Sequence, residues 1–214
     1  MVIGFCIGVC NGFAIPVAQK FGAKDDSALR RFVANATWLC IGFAAVMTIA
    51  ASVFCRDILL FLRTPQNVFQ YAYWYMLIIF LGIPCTFLYN FLAALIRSLG
   101  DSRTPVVFLA ISSVLNIVLD LVFILVFRWG VIGAALATVL SQGISGVCCL
   151  FYVGRTFPIL HGSRNEWKVQ PRYMVRLCTI GIPMGLQYSI TAIGSMVMQY
   201  ANNSLDSVVY VSAF

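Results

Sequence analysis

One acidic residue interrupts an otherwise apolar stretch of the chain. Asp120 lies inside the run VVFLAISSVLNIVLDLVFILVF (106–127), and Asn116 precedes it by four residues. On an α-helix, residues four apart share one face, about a turn from each other. A carboxylate without a partner in apolar surroundings tends to take up a proton, whereas one with a hydrogen-bond donor or a bound cation stays charged. The pair therefore predicts either a proton or Na⁺ site or, alternatively, a hydrogen-bonded pair that fixes helix packing.

The composition indicates the environment in which such a carboxylate would act. Of the 214 residues, 61% are hydrophobic and 10% are charged, against about 25% charged in soluble domains. A soluble fold of this size could not bury so much apolar surface. The sequence thus disfavours a soluble enzyme, a nucleic-acid-binding protein and a disordered tail, despite the net charge of +7. We expect the lipid bilayer as a partner, and no nucleic acid.

Continuous apolar runs of helix length predict the fold class. A membrane barrel would show short segments of alternating polarity instead. We therefore expect an all-α polytopic membrane protein with about six transmembrane helices. The predicted spans cover residues 2–19, 33–55, 68–96, 106–127, 130–154 and 175–201.

Catalytic and metal-binding motifs are missing from the sequence. It contains no HExxH, no GxSxG and no phosphate-cradling glycine loop. The eight cysteines lie in apolar runs or at the end of one and form no CxxC pair, so we interpret them as packing residues. The single histidine, His161, lies in a predicted loop. We expect no enzymatic activity, no catalytic residue and no cofactor.

Basic residues predict the orientation in the membrane. Eleven of the 14 lysines and arginines fall in the connections 20–31, 97–103 and 155–176, and three in the alternate connections. Because cytoplasmic loops collect Lys and Arg, these three connections are predicted to be cytoplasmic. The chain is then a multi-pass protein of the cytoplasmic membrane, whose first span runs from outside to inside. A native N-terminus can lie on the outer face, and a helix preceding that span would explain this direction equally well.

Prolines and glycines within the spans predict special helix geometry. Pro16, Pro84 and Pro183 each interrupt a span, and such breaks line the cavities of many transporters, although kinks without any role in transport also occur. Gly4, Gly8 and Gly12 recur every fourth residue. This spacing lets a neighbouring helix approach closely.

Three segments resemble the multidrug and toxic compound extrusion (MATE) transporters. They are VAQKFGAKDDSALRR (17–31), RSLGDSRTPVVFLAISSVLNIVLDLVFI (97–124) and GVIGAALATVLSQ (130–142). Within the second, Thr104 is expected to cap the following helix, with Pro105 at its first position. Residues 181–214 resemble the helix that opens the second lobe of such a transporter.

The resemblance implies a chain organised as part of two six-helix lobes. It matches helices two to seven of twelve, a fragment. Residues 1–154 would form the N-terminal lobe without its first helix, 155–172 a cytoplasmic linker, and 173–214 the truncated first helix of the C-terminal lobe. The missing helices of the full-length chain would then be partners of this part.

The resemblance also implies a coupling site. Family members combine an Asp of the first helix with an Asn and an Asp on the fifth and a Thr on the sixth. The matching residues are Asn116, Asp120 and Thr138, whose oxygen atoms suit Na⁺ or a shared proton. Some members place a Glu on the seventh helix, where this chain offers Gln187 and Thr191. This difference favours the branch similar to DinF.

The function implied is a cation-coupled antiporter, driven by H⁺ or Na⁺, that exports amphipathic organic cations or drugs across the cytoplasmic membrane. One alternative is a flippase for lipid-linked saccharides of the same superfamily. It would place cationic residues in its cavity, and no Arg or Lys lies in the middle of a predicted span. Another alternative is a non-transporting accessory membrane protein.

Overall fold

The chain folds into a bundle of α-helices. The structure, a computed structural model, describes residues 2–61, 66–160 and 166–204. His161 and residues 205–214 lie outside the described residues. A π-helical turn (Val122–Val126) continues the sixth helix and a 3-10 turn (Pro158–Leu160) follows the seventh. The α-helices, named α1 to α8 in chain order, are Val2–Gly22, Asp26–Val53, Cys55–Phe61, Gln66–Leu81, Ile83–Ser98, Arg103–Leu121, Gly130–Thr156 and Pro171–Ser204.

The described helices confirm the predicted fold class. No strand occurs in the parts of the chain that the structure describes. Five helices (α1, α2, α6, α7 and α8) are each long and apolar enough to cross a membrane. The pair α4 and α5 would supply a sixth span, bent by 43°. About six membrane-spanning helices are therefore present, as the apolar runs predict.

Three boundaries differ from the sequence-based expectation. The segment predicted as a loop over 21–31 becomes helical at Asp26, because the Asp25 carboxylate accepts the Ala28 N–H at 3.1 Å and caps α2. The predicted connection 55–67 contains the short helix α3. The span predicted over 68–96 breaks at Gly82, which lies against Val139 of α7.

Helix α1 lies at the centre of the bundle. It packs against α2, α5 and α8, while α7 packs against α5 and α6. Phe13 of α1 and Phe87 of α5 are among the largest fully buried side chains. In contrast, α6 leaves most of its apolar side chains exposed, including Val114 and Ile117. An apolar face of this kind is compatible with contact to lipid.

Glycines bring the backbones of α1 and α8 into close contact. A Cβ atom added to Gly8 would lie 2.6 Å from the carbonyl oxygen of Met184, and one added to Gly12 would lie 2.6 Å from Cα of Gly181. Neither distance is compatible with a real side chain. The four-residue glycine spacing therefore serves the close packing that the sequence predicts.

The three basic connections meet at one end of the bundle, which we call the basic end. It comprises residues 20–25, 99–102, 157–160 and 166–170. Phe21 of the first connection packs near Gly100 of the second. Arg30, near the start of α2, donates from Nε to Glu166 of the third at 2.8 Å.

The third connection is anchored on α2 by a buried amide. Asn35 has no exposed surface; its Nδ2 donates to the Arg31 carbonyl at 2.8 Å and its Oδ1 accepts the Gln170 N–H at 2.8 Å. Trp38 Nε1 donates to the Trp167 carbonyl at 3.2 Å. The segment just before α8 is thus fixed to the first half of α2.

Asp101, rather than Thr104, caps α6. Its Oδ1 accepts the backbone N–H groups of Arg103 at 3.1 Å and Thr104 at 3.0 Å, and its Oδ2 accepts from Tyr152 Oη at 3.1 Å. The expected cap by Thr104 is wrong, because the Thr104 hydroxyl bonds Tyr152 Oη instead, at 3.2 Å. The Thr104 side chain first, then its backbone N–H and Tyr152, lower the pKa of Asp101.

Replacing Gly8 with alanine should destabilise the bundle. The added methyl group meets the backbone of α8, and overpacking of this kind costs about 1–3 kcal/mol. Gly42→Ala is the matched control, since a Cβ there meets nothing within 4 Å and alanine favours a helix by about 1 kcal/mol over glycine. Thermal unfolding in detergent should show a lower Tm for Gly8→Ala only. Equal Tm values for the two variants would contradict the close approach of α1 to α8 at Gly8.

The contribution of Asp101 to stability should depend on pH. The pKa of Asp101 is lower in the folded state than in the unfolded state. The carboxylate therefore stabilises the fold fully above about pH 3.9, the ordinary aspartate value. This stabilisation is lost as the pH falls through the folded-state pKa. Asp101→Ala should lower the free energy of unfolding by about 1 kcal/mol at pH 7. Below about pH 4 the difference in free energy from the unchanged protein should be smaller. Ser102→Ala is the control, because Ser102 makes no side-chain cap bond. A difference that stays constant from pH 7 to pH 3 would show that the charge is not involved.

Candidate functional site

The structure brings together the residues that the sequence singles out on α6 and α7. Asn116 Nδ2 lies 3.5 Å from Thr138 Oγ1 and donates to it. The Thr138 hydroxyl in turn donates to the Ala134 carbonyl at 3.0 Å. Asn116 therefore bridges two helices, and its own Oδ1 remains available to a further partner.

Asp120 differs from its neighbours because part of its carboxylate has no partner. Its Oδ1 is buried and forms no hydrogen bond within the described part of the chain. Leaving a buried acceptor unsatisfied costs about 1–3 kcal/mol, and more for a charged group. A proton or a cation bound at this oxygen would remove that cost.

Distances measured along α6 and along α7 place Asp120 and Thr138 equally far from the basic end. Asp120 is 17 residues after the start of α6 at Arg103, which is about 26 Å along a helix. Thr138 is 18 residues before the end of α7 at Thr156, or about 27 Å. The two estimates agree, so the site lies in the half of the bundle opposite the basic end.

Further contacts along the same helices fix α6 against α7. The Ser112 hydroxyl donates to the Ser141 carbonyl at 3.4 Å, and Ser141 Oγ donates to the Thr138 carbonyl at 2.9 Å. Gly133 leaves no room for a side chain, since a Cβ there would lie 2.9 Å from that of Phe123. Asn116 and Thr138 thus face each other across two closely packed helices.

The chain changes conformation directly after the site. The π-helical turn Val122–Val126 begins two residues beyond Asp120, and single π turns often occur at functional sites. Beyond it, the Phe127 and Trp129 rings stack with centroids 5.2 Å apart, and Phe123 lies 5.4 Å from Trp129. These three rings form an aromatic cluster between the site and the nearer end of the bundle.

The three prolines occupy different settings. Pro16 is buried within α1, and Pro183 lies within α8, where it lines an open groove of about 510 Å³. Pro84 lies in the first turn of α5, immediately after the 43° bend between α4 and α5.

Gln187 and Thr191 of α8 do not join the site. Both are exposed, and the Thr191 hydroxyl donates to the Gln187 carbonyl at 3.0 Å, within the same helix. In this part of the chain, α8 packs on α1 and α2 rather than on α6.

Sequence reasoning missed a second polar contact inside the bundle. The Thr86 hydroxyl of α5 donates to Gln142 Oε1 of α7 at 2.6 Å, and Asn90 Nδ2 donates to the Thr86 carbonyl at 2.8 Å. Gln142 follows Thr138 by four residues and therefore lies on the same side of α7. That spacing is the signal that could have located it.

The donor set of the site suits a hard cation or a proton. Asp120, Asn116 and Thr138 supply a carboxylate, an amide and a hydroxyl, all oxygen ligands. Among the described residues, no group of three or more His, Cys, Asp or Glu side chains could hold a metal ion.

Comparison with known proteins identifies relatives along nearly the whole chain. "Probable multidrug resistance protein YpnP" of Bacillus subtilis (strain 168) is 38% identical over 217 residues, covering 97% of this chain and 46% of that protein. "DNA damage-inducible protein F" of Escherichia coli (strain K12) is 29% identical over 125 residues, covering 58% of this chain and 27% of that protein. The expected likeness to DinF is therefore present.

The fold is shared with a solved membrane transporter. A structure described as the outward-facing conformation of a multidrug resistance MATE family transporter of the MOP superfamily superposes with a TM-score of 0.85 at 20% sequence identity. The match covers 93% of this chain and 44% of the transporter. This chain thus spans about half the length of the relatives it matches.

A family profile decides the assignment. The MatE profile matches residues 1–122, which is more than half of the 214 residues and includes both Asn116 and Asp120. The chain belongs to the MatE family, the multidrug and toxic compound extrusion transporters.

Proposed function

We propose that this chain is part of a cation-coupled antiporter that exports amphipathic organic cations or drugs, with the first lobe lacking its first helix and the second lobe represented by its first helix. The observation that carries the proposal is the unpartnered, buried Oδ1 of Asp120 beside the Asn116–Thr138 contact. A buried ionisable group in a membrane span is costly and commonly marks an ion or proton pathway. Coupling by H⁺ or Na⁺ is what these oxygen atoms could provide.

The coupling follows from differential binding. A proton or Na⁺ on Asp120 removes the unfavourable buried charge and draws the oxygens of Asn116 and Thr138 towards the same centre. A ligand shifts a conformational equilibrium only by its difference in affinity between two states. We infer that the occupied site stabilises one arrangement of α6 against α7, and that loss of the ion favours the other. Drug export would use this difference to move the two lobes alternately.

Relatives and charge distribution support the wider setting. YpnP is named a probable multidrug resistance protein, and this chain corresponds to less than half of it, so drug export is proposed for the full-length protein. The lysines and arginines of the three basic connections favour a cytoplasmic location for the basic end, in the cytoplasmic membrane. The missing helices of the full-length chain would complete the transport cavity.

Asp120→Asn should abolish coupled export by the full-length protein. The amide keeps the shape of the side chain and removes the charge that would exchange a proton or Na⁺. We would impose Na⁺ and proton gradients separately on membrane vesicles and follow efflux of a fluorescent organic cation. We expect efflux driven by one of the two gradients to fall at least tenfold in the variant, at unchanged protein level.

The controls separate the site from general damage. Asp57→Asn changes an exposed carboxylate of α3 and should leave efflux unchanged. Thr138→Val removes the hydroxyl that Asn116 contacts and should weaken the dependence on the driving ion. Full efflux by Asp120→Asn would leave Asp120 as a packing residue, and no efflux by the unchanged protein under either gradient would exclude the antiporter.

A further inference from the structure

The third connection of the basic end lies against α2 over about two helical turns. Arg30 donates to Glu166 at 2.8 Å, and Trp38 Nε1 donates to the Trp167 carbonyl at 3.2 Å. Arg30 and Trp38 are eight residues apart in the sequence, which is about 12 Å along a helix. The connection therefore reaches from the polar start of α2 into its apolar part.

One face of α2 changes from charged to aromatic to aliphatic along the helix. Arg31 and Trp38 are seven residues apart, close to two full turns, and so they lie on the same face. Beyond Trp38, this face carries exposed apolar side chains at intervals of three or four residues, which we call the exposed face of α2. They are Ile41, Ala45, Ile49 and Val53. The order of cation, tryptophan and aliphatic groups is that of a bilayer leaflet from headgroup to hydrocarbon.

Trp167 and Lys168 of the third connection lie beside this face. Both side chains are exposed, as is that of Trp38. The hydrogen bond from Trp38 Nε1 to the Trp167 carbonyl satisfies the polar atom of the Trp38 indole and leaves the apolar ring free to contact acyl chains. Tryptophan is enriched where membrane meets water, with its ring at the level of the headgroups. The two indoles therefore mark the level at which the surface of this chain passes from water to lipid.

Arg31 and Lys168 belong to neither of the two ion pairs among the described residues. Asp25 attracts Arg31 electrostatically, but its carboxylate is bonded to Lys20 at 3.1 Å. The Nε atom of Arg31 is buried and forms no hydrogen bond within the described part of the chain, which is unfavourable for a charged donor. A guanidinium and an ammonium are the groups that bind phosphate in proteins. The two side chains therefore supply positive charge at the level of the lipid headgroups.

We propose that an anionic phospholipid binds where the third connection crosses α2. Its phosphate lies at Arg31 and Lys168, and its acyl chains lie along the exposed face of α2 that follows Trp38. Cations beside an apolar face match both parts of such a lipid, whereas an apolar helix packed there would bury the two charges without an anion. The inference uses the proposed cytoplasmic location of the basic end, because the cytoplasmic leaflet carries the anionic lipids. It depends on neither the transported compound nor the coupling ion.

Quenching by brominated lipids tests the site in the full-length protein. Nanodiscs of phosphatidylcholine would contain increasing fractions of either phosphatidylglycerol or phosphatidylcholine with bromine on the acyl chains. The fluorescence of Trp167 is the difference between the unchanged protein and Trp167→Phe, which keeps the backbone carbonyl that Trp38 contacts. We expect brominated phosphatidylglycerol to quench this fluorescence at a mole fraction at least about fivefold lower than brominated phosphatidylcholine. One cation near an anionic lipid surface contributes roughly this factor.

Charge variants locate the headgroup. Lys168→Gln should lower the preference for phosphatidylglycerol several-fold, Lys168→Arg should keep it, and the double variant Arg31→Gln/Lys168→Gln should remove it. Arg103→Gln is the matched control, because Arg103 is an exposed arginine at the start of α6, a helix that does not pack on α2 within the described chain. Its preference should equal that of the unchanged protein. The Tm of each variant in phosphatidylcholine alone, without anionic lipid, reports any folding defect separately.

Three results would overturn the lipid site. Equal quenching of Trp167 by the two brominated lipids would exclude a specific contact with the anionic headgroup. Absence of quenching by both would show that protein covers this face, either another helix of the full-length chain or a second copy. An equal loss of preference in Arg103→Gln would assign the effect to the overall charge of the basic end. Because quenching needs neither a gradient nor a drug, failure of the antiporter proposal would leave each of these results unchanged.

Discussion

The absence of water from the bilayer core is the constraint on which this structure depends. A polar group there must find a partner inside the protein. Most described hydroxyl groups on the long helices meet this need locally: Thr37, Thr138 and Thr179 each donate to the carbonyl four residues earlier. Polar side chains that reach another helix, as Asn116 and Thr86 do, are therefore exceptions. The buried oxygen of Asp120 has no partner in the described chain, and it belongs to an ionisable group.

Packing and polarity differ between the two halves of the bundle. At the basic end, ionic and amide contacts tie the connections to α2, with Asn35 fully buried among them. Towards the other end, the contacts between α6 and α7 are weaker hydroxyl and amide bonds, one of them 3.5 Å long. The basic end is thus held by ionic and amide contacts, whereas the polar site of α6 and α7 is held by a longer hydrogen bond between two helices.

Local patterns in the sequence predict much of this structure, but not the contacts between distant segments. The lengths of the apolar runs predict the membrane spans, and the four-residue spacing predicts that Asn116 and Asp120 share one helix face. Thr138 is reached only through the resemblance, because no local pattern relates α6 to α7. The start of α2 and the cap by Asp101 depend on which side chain accepts a hydrogen bond from the backbone N–H groups. The hydrogen bond from Arg97 of α5 to Asn11 of α1 joins residues 86 apart in the sequence, which no local pattern predicts.

The glycine contact between α1 and α8 also has a consequence for biosynthesis. Gly12 and its contact Gly181 are separated by 169 residues. At translation rates of about 5–20 residues per second, roughly 8–34 s pass before the partner of Gly12 exists. During that interval the face of α1 that α8 later covers must be shielded by lipid or by the insertion machinery. Slowing of synthesis between α1 and α8 would lengthen the period in which this helix can pair wrongly or be degraded.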